Sequence, residues 1–131
     1  MTFPSIPEKA EKMTKKNEMN LNFDSYQVDL MWTALERWGE AAQAYQTIEE
    51  CAELIVALNK HITRSSTSET LKNIVDEIAD LEIMLAQMRL TFDISDELVA
   101  QRIKRKFYKL EKYLKVDGGL KQIDEMQKYG D

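Results

Sequence analysis

Apolar residues recur along most of this chain at the three- and four-residue spacing of amphipathic α-helices. The pattern predicts four helices, over residues 22–39, 40–62, 69–90 and 96–115. No segment alternates apolar and polar residues with the two-residue period of a β-strand. We therefore expect an all-α fold.

Capping residues predict where several of these helices begin and end. Asn22 can cap the first helix, and Gly39 is positioned to end it. Ser66, followed three residues later by Glu69, matches a capping box for the third helix. Ser95 precedes acidic residues and can cap the fourth helix, whose dipole favours negative charge in the first turn.

The chain divides by composition into three parts. Residues 1–20 are polar and lysine-rich, which is typical of a flexible arm. Residues 21–116 contain the four predicted helices. Residues 117–131 form a tail in which Leu120, Ile123 and Met126 share one face of a short helix. We expect a single helical domain between the arm and this C-terminal helix.

The two middle helices each separate an apolar face from an acidic one. The apolar sector of the second helix lies opposite Glu50 and Glu53 and is predicted to face the core; it contains Tyr45, Ile48, Cys51, Ala52, Ile55, Val56 and Leu58. The third helix is predicted to turn Leu71, Ile74, Val75, Ile78, Leu81 and Leu85 to the core. Together they carry more apolar surface than one short hairpin covers, so part of it should face a second copy of the chain.

Composition and charge narrow the class of protein. The 131 residues are 44% hydrophobic, with 4 Gly and 2 Pro, as in one helical globular domain. The net charge of −5 argues against a nucleic-acid-binding surface. One cysteine excludes an internal disulfide and fits a reducing compartment. No apolar run approaches the roughly 20 residues of a membrane span, and the start has no signal-peptide core. We expect a cytoplasmic protein that binds neither nucleic acid nor a membrane.

Acidic residues form a cluster at helical spacing on each middle helix. Glu49, Glu50 and Glu53 lie on the second helix, and Asp76, Glu77 and Asp80 lie on the third. Residues three or four apart share a helix face, so the two clusters can meet if the helices pack antiparallel. Converging carboxylates repel strongly unless a hard cation such as Mg²⁺ lies among them. The spacing therefore indicates a divalent cation site divided between two helices.

The same acids allow other interpretations. An acidic helix face is most often simply solvated. A carboxylate-bridged di-iron bundle requires Glu-x-x-His pairs, whereas this chain has one histidine, His61, at the predicted end of the second helix. There a cation complements the helix dipole, which favours a structural role. A non-catalytic helical binding or regulatory module could also keep these acids around a structural cation.

The acidic spacing resembles the signature of the MazG-type all-α nucleoside triphosphate pyrophosphohydrolases. Glu49-Glu50-x-x-Glu53, then 23 intervening residues, then Glu77-x-x-Asp80, is similar to the EExxE…ExxD motif of that family. The segments around Trp38 and Ala42 are similar too, and the resemblance covers residues 22–115. It implies a four-helix MazG-like bundle completed by oligomerisation, as a homodimer or as a homotetramer built from two dimers.

The resemblance also implies a reaction and residue roles. The reaction is Mg²⁺-dependent hydrolysis of a nucleoside triphosphate between its α and β phosphates, giving the monophosphate and pyrophosphate. The implied metal ligands are Glu50, Glu53, Glu77 and Asp80, with Mn²⁺ as an alternative cation. Glu49 would be a further acid that orients a water or holds a second cation. Metal ions that neutralise phosphate charge and activate water leave the protein little other chemistry to supply.

Candidate substrate contacts lie near these acids or on the fourth helix. Gln46 and Asn73 each precede an acidic pair by one turn on the same face, where they can contact a base or sugar. Trp38 is the candidate for stacking on the base, although aromatic residues at helical spacing more often belong to a core. The fourth helix has seven basic and three acidic residues, a net charge of +4, and its phosphate-binding candidates are Arg102, Lys106 and Lys109.

Overall fold

The computed structural model describes residues 23–116, and the regular structure in this range is entirely helical. Its four helices are α1 (Ser25–Trp38), α2 (Glu40–Thr63), α3 (Ser68–Thr91) and α4 (Asp96–Val116). The all-α class and the order of the four helices are thus confirmed. The predicted N-terminal arm (1–20) and C-terminal helix (117–131) lie outside the described residues. None of the described helices is long and apolar enough to cross a membrane.

Helix α1 begins with a capping box and ends at a glycine. The Asp24 carboxylate accepts the Gln27 backbone N–H at 2.8 Å, and the Gln27 side-chain oxygen accepts the Asp24 N–H at 2.9 Å. The predicted cap, Asn22, was therefore two residues too early. Gly39 ends α1 as predicted: it has a φ of 87°, a region that favours glycine, and its N–H donates to the Leu35 carbonyl at 2.9 Å.

The loop between α2 and α3 is fastened to both helices through Thr70. Thr67 caps α3 by accepting the Thr70 N–H at 3.1 Å, and Thr70 Oγ1 accepts the Thr67 N–H at 2.9 Å. The predicted capping box of Ser66 and Glu69 is thus wrong by one residue. Ser66 Oγ donates instead to the His61 carbonyl at 2.8 Å. The His61 ring Nδ1 lies 2.7 Å from Thr70 Oγ1, so the histidine links the end of α2 to the start of α3.

Helices α2 and α3 form an antiparallel hairpin. Only the residues 64–67 connect them, and a connection this short makes consecutive packed helices antiparallel. The contacts follow the same order: His61 lies against Thr70 near the loop, while Glu53 lies against Glu77 further from it. Residue numbers therefore fall along α2 as they rise along the facing side of α3.

The buried core lies where α1 packs against the C-terminal half of α3. Val28, Met31 and Trp32 of α1 cluster with Leu90 of α3. The buried Gln87 amide donates to the Met31 carbonyl at 3.2 Å, so a polar group inside this core is paired and joins the two helices.

The apolar sectors predicted to form the core of α2 and α3 mostly face outward. Ile48 and Ile55 are 63% and 67% exposed, and Cys51 is exposed as well. The buried positions of the hairpin include Ala57 and Ile74 instead. The core prediction is therefore wrong for these exposed residues: Tyr45, Ile48, Cys51, Ala52, Ile55, Val56, Leu58, Leu71, Val75, Ile78 and Leu85. Helical periodicity separates two faces correctly, but it does not decide which face packs.

Helix α4 belongs to a second compact unit that begins at Ser95. Ser95 caps this helix as predicted, since its Oγ accepts the Leu98 N–H at 3.1 Å. Along α4, the Lys115 ammonium lies 2.9 Å from the Glu111 carboxylate, and the Lys112 ammonium lies 4.9 Å from the centre of the Tyr108 ring. Its surface combines basic and apolar exposed side chains.

Candidate functional site

Three of the five predicted site acids come together on the facing sides of α2 and α3. One carboxylate oxygen from each of Glu50, Glu53 and Glu77 lies within 4.8 Å of the other two. Glu50 and Glu53 are adjacent on one face of α2 because they are three residues apart, and the antiparallel hairpin brings Glu77 opposite them. Glu50 and Glu77 are half-buried, whereas Glu53 is exposed. We call these three residues the carboxylate group.

Two oxygens of the carboxylate group are shielded from solvent. Oε1 of Glu50 accepts a hydrogen bond from the Gln46 side-chain amide at 2.9 Å. Oε2 of Glu50 and Oε2 of Glu77 are both buried and have no hydrogen-bond partner within residues 23–116. A shielded carboxylate oxygen without a hydrogen-bond partner destabilises the folded state. Both oxygens, together with the all-carboxylate donor set, fit a hard divalent cation such as Mg²⁺ or Mn²⁺.

The surroundings of Glu50 raise the pKa of its carboxyl group. Burial raises the pKa of Glu50, and the negative charges of Glu53 and Asp80 raise it further. The nearness of the Glu53 carboxyl acts in the same direction, because a hydrogen bond between two carboxyls requires one of them to be protonated. The hydrogen bond from Gln46 opposes these effects by favouring the charged form. The fold therefore holds negative charge here at a cost that a bound cation would offset.

The other two predicted acids have different positions. Asp80 is exposed and is not part of the carboxylate group, although its charge contributes to the raised pKa of Glu50. It therefore lies at the edge of the group. Glu49 is exposed and also outside it. Being next to Glu50 in sequence, it is rotated from Glu50 by about 100° around the helix axis.

An open groove of about 290 Å³ runs between α2 and α3 beside the carboxylate group. Its lining consists of Ala52, Glu53, Val56, Ala57, Lys60, Thr70, Asn73 and Glu77. Asn73 thus lies in the same groove as two of the acids, as its position one turn before Glu77 predicts. The sequence interpretation missed Lys60. The available signal was its spacing of seven residues from Glu53, which is close to two full turns and places both on one face.

The remaining predicted substrate contacts lie in separate places. Gln46 is held against Glu50, so its amide touches a carboxylate of the site directly. Trp38 is the last residue of α1 and its side chain is 60% exposed. The basic candidates are exposed on α4, in the second unit; they are Arg102, Lys106 and Lys109.

The chain matches no protein-family model, no curated protein and no solved structure. Two features of the chain therefore bear on its function. One is the geometry of Glu50, Glu53 and Glu77, and the other is the order of the acids in the sequence. Together they describe a partly buried, oxygen-rich group with a groove beside it, whose donor atoms are of the kind that a hard divalent cation prefers.

Proposed function

We propose that this protein is a Mg²⁺-dependent nucleoside triphosphate pyrophosphohydrolase of the MazG type. It would cleave ribo- or deoxyribonucleoside triphosphates between the α and β phosphates and release the monophosphate and pyrophosphate. The observation that carries the proposal is the meeting of Glu50, Glu53 and Glu77 across the hairpin. These acids occupy three of the four metal-ligand positions that the EExxE…ExxD resemblance implies.

The residues of the hairpin have distinct roles in this proposal. Glu50, Glu53 and Glu77 hold the cation, and Asp80 is the fourth carboxylate at the edge of the group. A bound Mg²⁺ or Mn²⁺ supplies neutralisation of phosphate charge and a lowered pKa for a bound water. The oxygen of a water would form a bond to the α phosphorus as the bond from that phosphorus to the bridging oxygen breaks. The bridging oxygen would leave with pyrophosphate, and the proton lost by the water would pass to solvent. Glu49 is the additional acid that can orient this water.

Gln46 and Asn73 support this arrangement from the two helices. Gln46 fixes one oxygen of Glu50 and so orients the other, in the way that hydrogen-bonded partners orient metal ligands. Asn73 lies in the groove and offers an amide to the substrate. Trp38 is proposed to stack on the base, and Arg102, Lys106 and Lys109 are proposed to contact phosphates.

We further propose that a MazG-like four-helix bundle is completed by a second copy of the chain, as a homodimer or a dimer of dimers. The outer side of α2 supports this. Ile48, Ile55 and Ile62 repeat every seven residues and are 63%, 67% and 75% exposed. Large apolar side chains that are this exposed and recur along one face of a helix are typical of an interaction surface. The proposed role is control or sanitation of the nucleotide pool in the cytoplasm.

The test is a panel of common and modified nucleoside triphosphates incubated with Mg²⁺ and assayed for pyrophosphate and monophosphate. Glu53→Gln and Glu77→Gln should each lower kcat by at least about 100-fold, because losing a metal ligand should cost no less than losing an outer-shell partner. Glu82→Gln removes an exposed carboxylate of α3 outside the group and should leave turnover unchanged. Orthophosphate as the direct product, or no hydrolysis of any nucleotide, would overturn the proposal.

A second candidate function is a non-catalytic helical binding or regulatory module with a structural cation. The position of Asp80 favours it, since this acid is exposed and outside the carboxylate group, which leaves three ligands together rather than four. This alternative predicts that Mg²⁺ raises the melting temperature of the protein while no nucleotide is turned over.

A further inference from the structure

We propose that Lys60 and Asn73 form a subsite for the β and γ phosphates of the substrate, and hence for the pyrophosphate product. The subsite lies in the groove between α2 and α3, beside the carboxylate group. The identity of the substrate rests on the function proposed above. The site itself is defined by its own chemistry, as a pyrophosphate-binding site next to a cation centre.

The hairpin geometry directs Lys60 toward the carboxylate group. Lys60 and Glu53 both line the groove and lie on one face of α2, about 10 Å apart along the helix axis. Side chains on a helix tilt toward its N-terminus, so Lys60 leans toward Glu53. Helix α3 runs the other way, and Glu77 leans toward Asn73 for the same reason. The positive and the negative groups therefore converge along one groove.

The lining of the groove suits phosphate oxygens better than a nucleobase. Lys60 offers an ammonium and Asn73 an amide, both of which are hydrogen-bond donors. The other α2 side chains between them and the acids are short and aliphatic, and none of the described lining residues is aromatic. The Thr70 hydroxyl is already engaged by Thr67, His61 and Ser65. It closes the loop end of the groove rather than serving a ligand.

Lys60 can attract phosphate groups, which the acids of the carboxylate group repel. A bare phosphate chain is repelled by the carboxylate group, and a cation bound there would attract only the phosphates that reach it. Within residues 23–116, Lys60 makes no ion pair with Glu53 or Glu77, so its charge is available to a ligand in the groove. With a cation held by the carboxylate group, a phosphate chain lying along the groove would meet positive charge at both of its ends. This is the electrostatic clamp that phosphoryl chemistry requires.

Calorimetric titration of the full chain tests the subsite, with pyrophosphate and a nucleoside monophosphate added separately in the presence of Mg²⁺. Lys60→Met should raise the Kd for pyrophosphate about 10-fold, which is the loss of one charge-assisted hydrogen bond. Lys60→Arg should restore part of the affinity. Monophosphate affinity and stabilisation by Mg²⁺ should stay as in the wild type. Lys72→Met, an exposed position on α3 outside the groove lining, is the matched control.

The outcomes separate this inference from the proposed function. Wild-type protein that does not bind pyrophosphate, or Lys60→Met that binds it with unchanged affinity, overturns the subsite. Equal losses of monophosphate and pyrophosphate affinity overturn it too, because Lys60 would then act on the whole site. Protein that binds pyrophosphate through Lys60 but hydrolyses no nucleotide overturns the proposed enzyme and leaves the subsite standing. Hydrolysis in which pyrophosphate inhibits Lys60→Met and wild type equally removes the subsite alone.

Discussion

The side-chain amide of Gln46 donates a 2.9 Å hydrogen bond to Oε1 of Glu50, one turn further along α2. The other oxygen of Glu50 is shielded from solvent and has no partner in the described part of the chain. Gln46 therefore fixes the orientation of the Glu50 carboxylate. Burial raises the pKa of Glu50, and the hydrogen bond from Gln46 opposes this effect because it favours the charged form.

Replacing Gln46 by alanine should weaken Mg²⁺ binding about 10-fold, the lower range of effects for partners that orient a metal ligand. The variant loses the orientation of Glu50, and the pKa of Glu50 rises further because the hydrogen bond that lowers it is gone. The loss should thus be larger at pH 5 than at pH 7. Calorimetric titration with Mg²⁺ measures it, and Gln101→Ala on the exposed surface of α4 is the control. Unchanged Mg²⁺ affinity would contradict the role assigned to Gln46.

Stability without metal should depend on pH through Glu50. Burial raises the pKa of Glu50 above its usual 4.5, so the folded protein holds this proton more tightly than the unfolded chain does. The contribution of Glu50 to stability is therefore complete below the unfolded pKa and is lost as pH rises through the raised value. Glu50→Gln stays uncharged throughout. The free energy of unfolding of the wild type minus that of the variant should fall as the pH rises above about 4.5.

Urea unfolding at several pH values, with a chelator present, measures this difference. Glu82→Gln is the control for a carboxylate of the hairpin outside the carboxylate group. A difference between wild type and Glu50→Gln that stays flat or increases with pH would contradict the raised pKa.

Mg²⁺ should stabilise the wild type and not Glu77→Gln. A ligand that binds only the folded state adds about 2.7 kcal/mol at a concentration 100 times its Kd. Glu77→Gln removes the one member of the carboxylate group that α3 contributes, and without metal it should be at least as stable as the wild type because repulsion is relieved. Thermal unfolding with and without Mg²⁺ measures both effects. An equal Mg²⁺ shift in wild type and variant means that the cation binds elsewhere.

Thr70 should be important for the stability of the hairpin. Its hydroxyl accepts the Thr67 N–H, and it lies 2.7 Å from His61 Nδ1 and 3.1 Å from the Ser65 carbonyl. Thr70→Val keeps the shape but leaves these groups without their partner, which should cost about 1–2 kcal/mol. Thr70→Ser keeps the hydroxyl and should cost much less. Denaturant unfolding compares them, and equal stabilities of Val and Ser variants would show that the hydroxyl contributes little.

The outer stripe of α2 should mediate self-association. Ile55→Lys places a charge in the middle of the stripe formed with Ile48 and Ile62, and the assembly should dissociate. Ile55→Val keeps the apolar contact and should leave the assembly intact. Light scattering coupled to size exclusion gives the mass of each. A wild type that is monomeric at micromolar concentration would contradict the proposed dimer.

Local sequence signals predicted the helices and the meeting of the acids. The spacing of Glu50 and Glu53 fixes their shared face, and the short polar loop fixes antiparallel packing, so Glu77 had to lie opposite. The sequence does not specify which residue caps α3, because four consecutive residues can all serve as the cap: Ser65, Ser66, Thr67 and Ser68. Thr67 is selected by its pairing with Thr70, whose hydroxyl also contacts His61 across the loop. That tertiary contact is absent from any local pattern.

The choice of buried face could not be predicted from one helix at a time. Ile48 and Ile55 mark an apolar face as strongly as any core residue, yet α1 packs on α3 and leaves this face outward. The position of Lys60 could not be predicted either, because the groove that it lines forms only when α2 packs against α3.

Because α2 and α3 are antiparallel, the meeting of the three acids does not depend on the total length of the hairpin. Two whole turns added to α2 beyond Glu53, with two added to α3 before Glu77, would move the loop away and keep the acids opposite each other. A change in one arm alone would slide the acids apart. Chains descended from a common ancestor can thus differ widely in the distance between their acidic motifs and retain the same site. The matched lengthening of both arms, rather than the number of residues between the motifs, is what would keep the acids opposite each other.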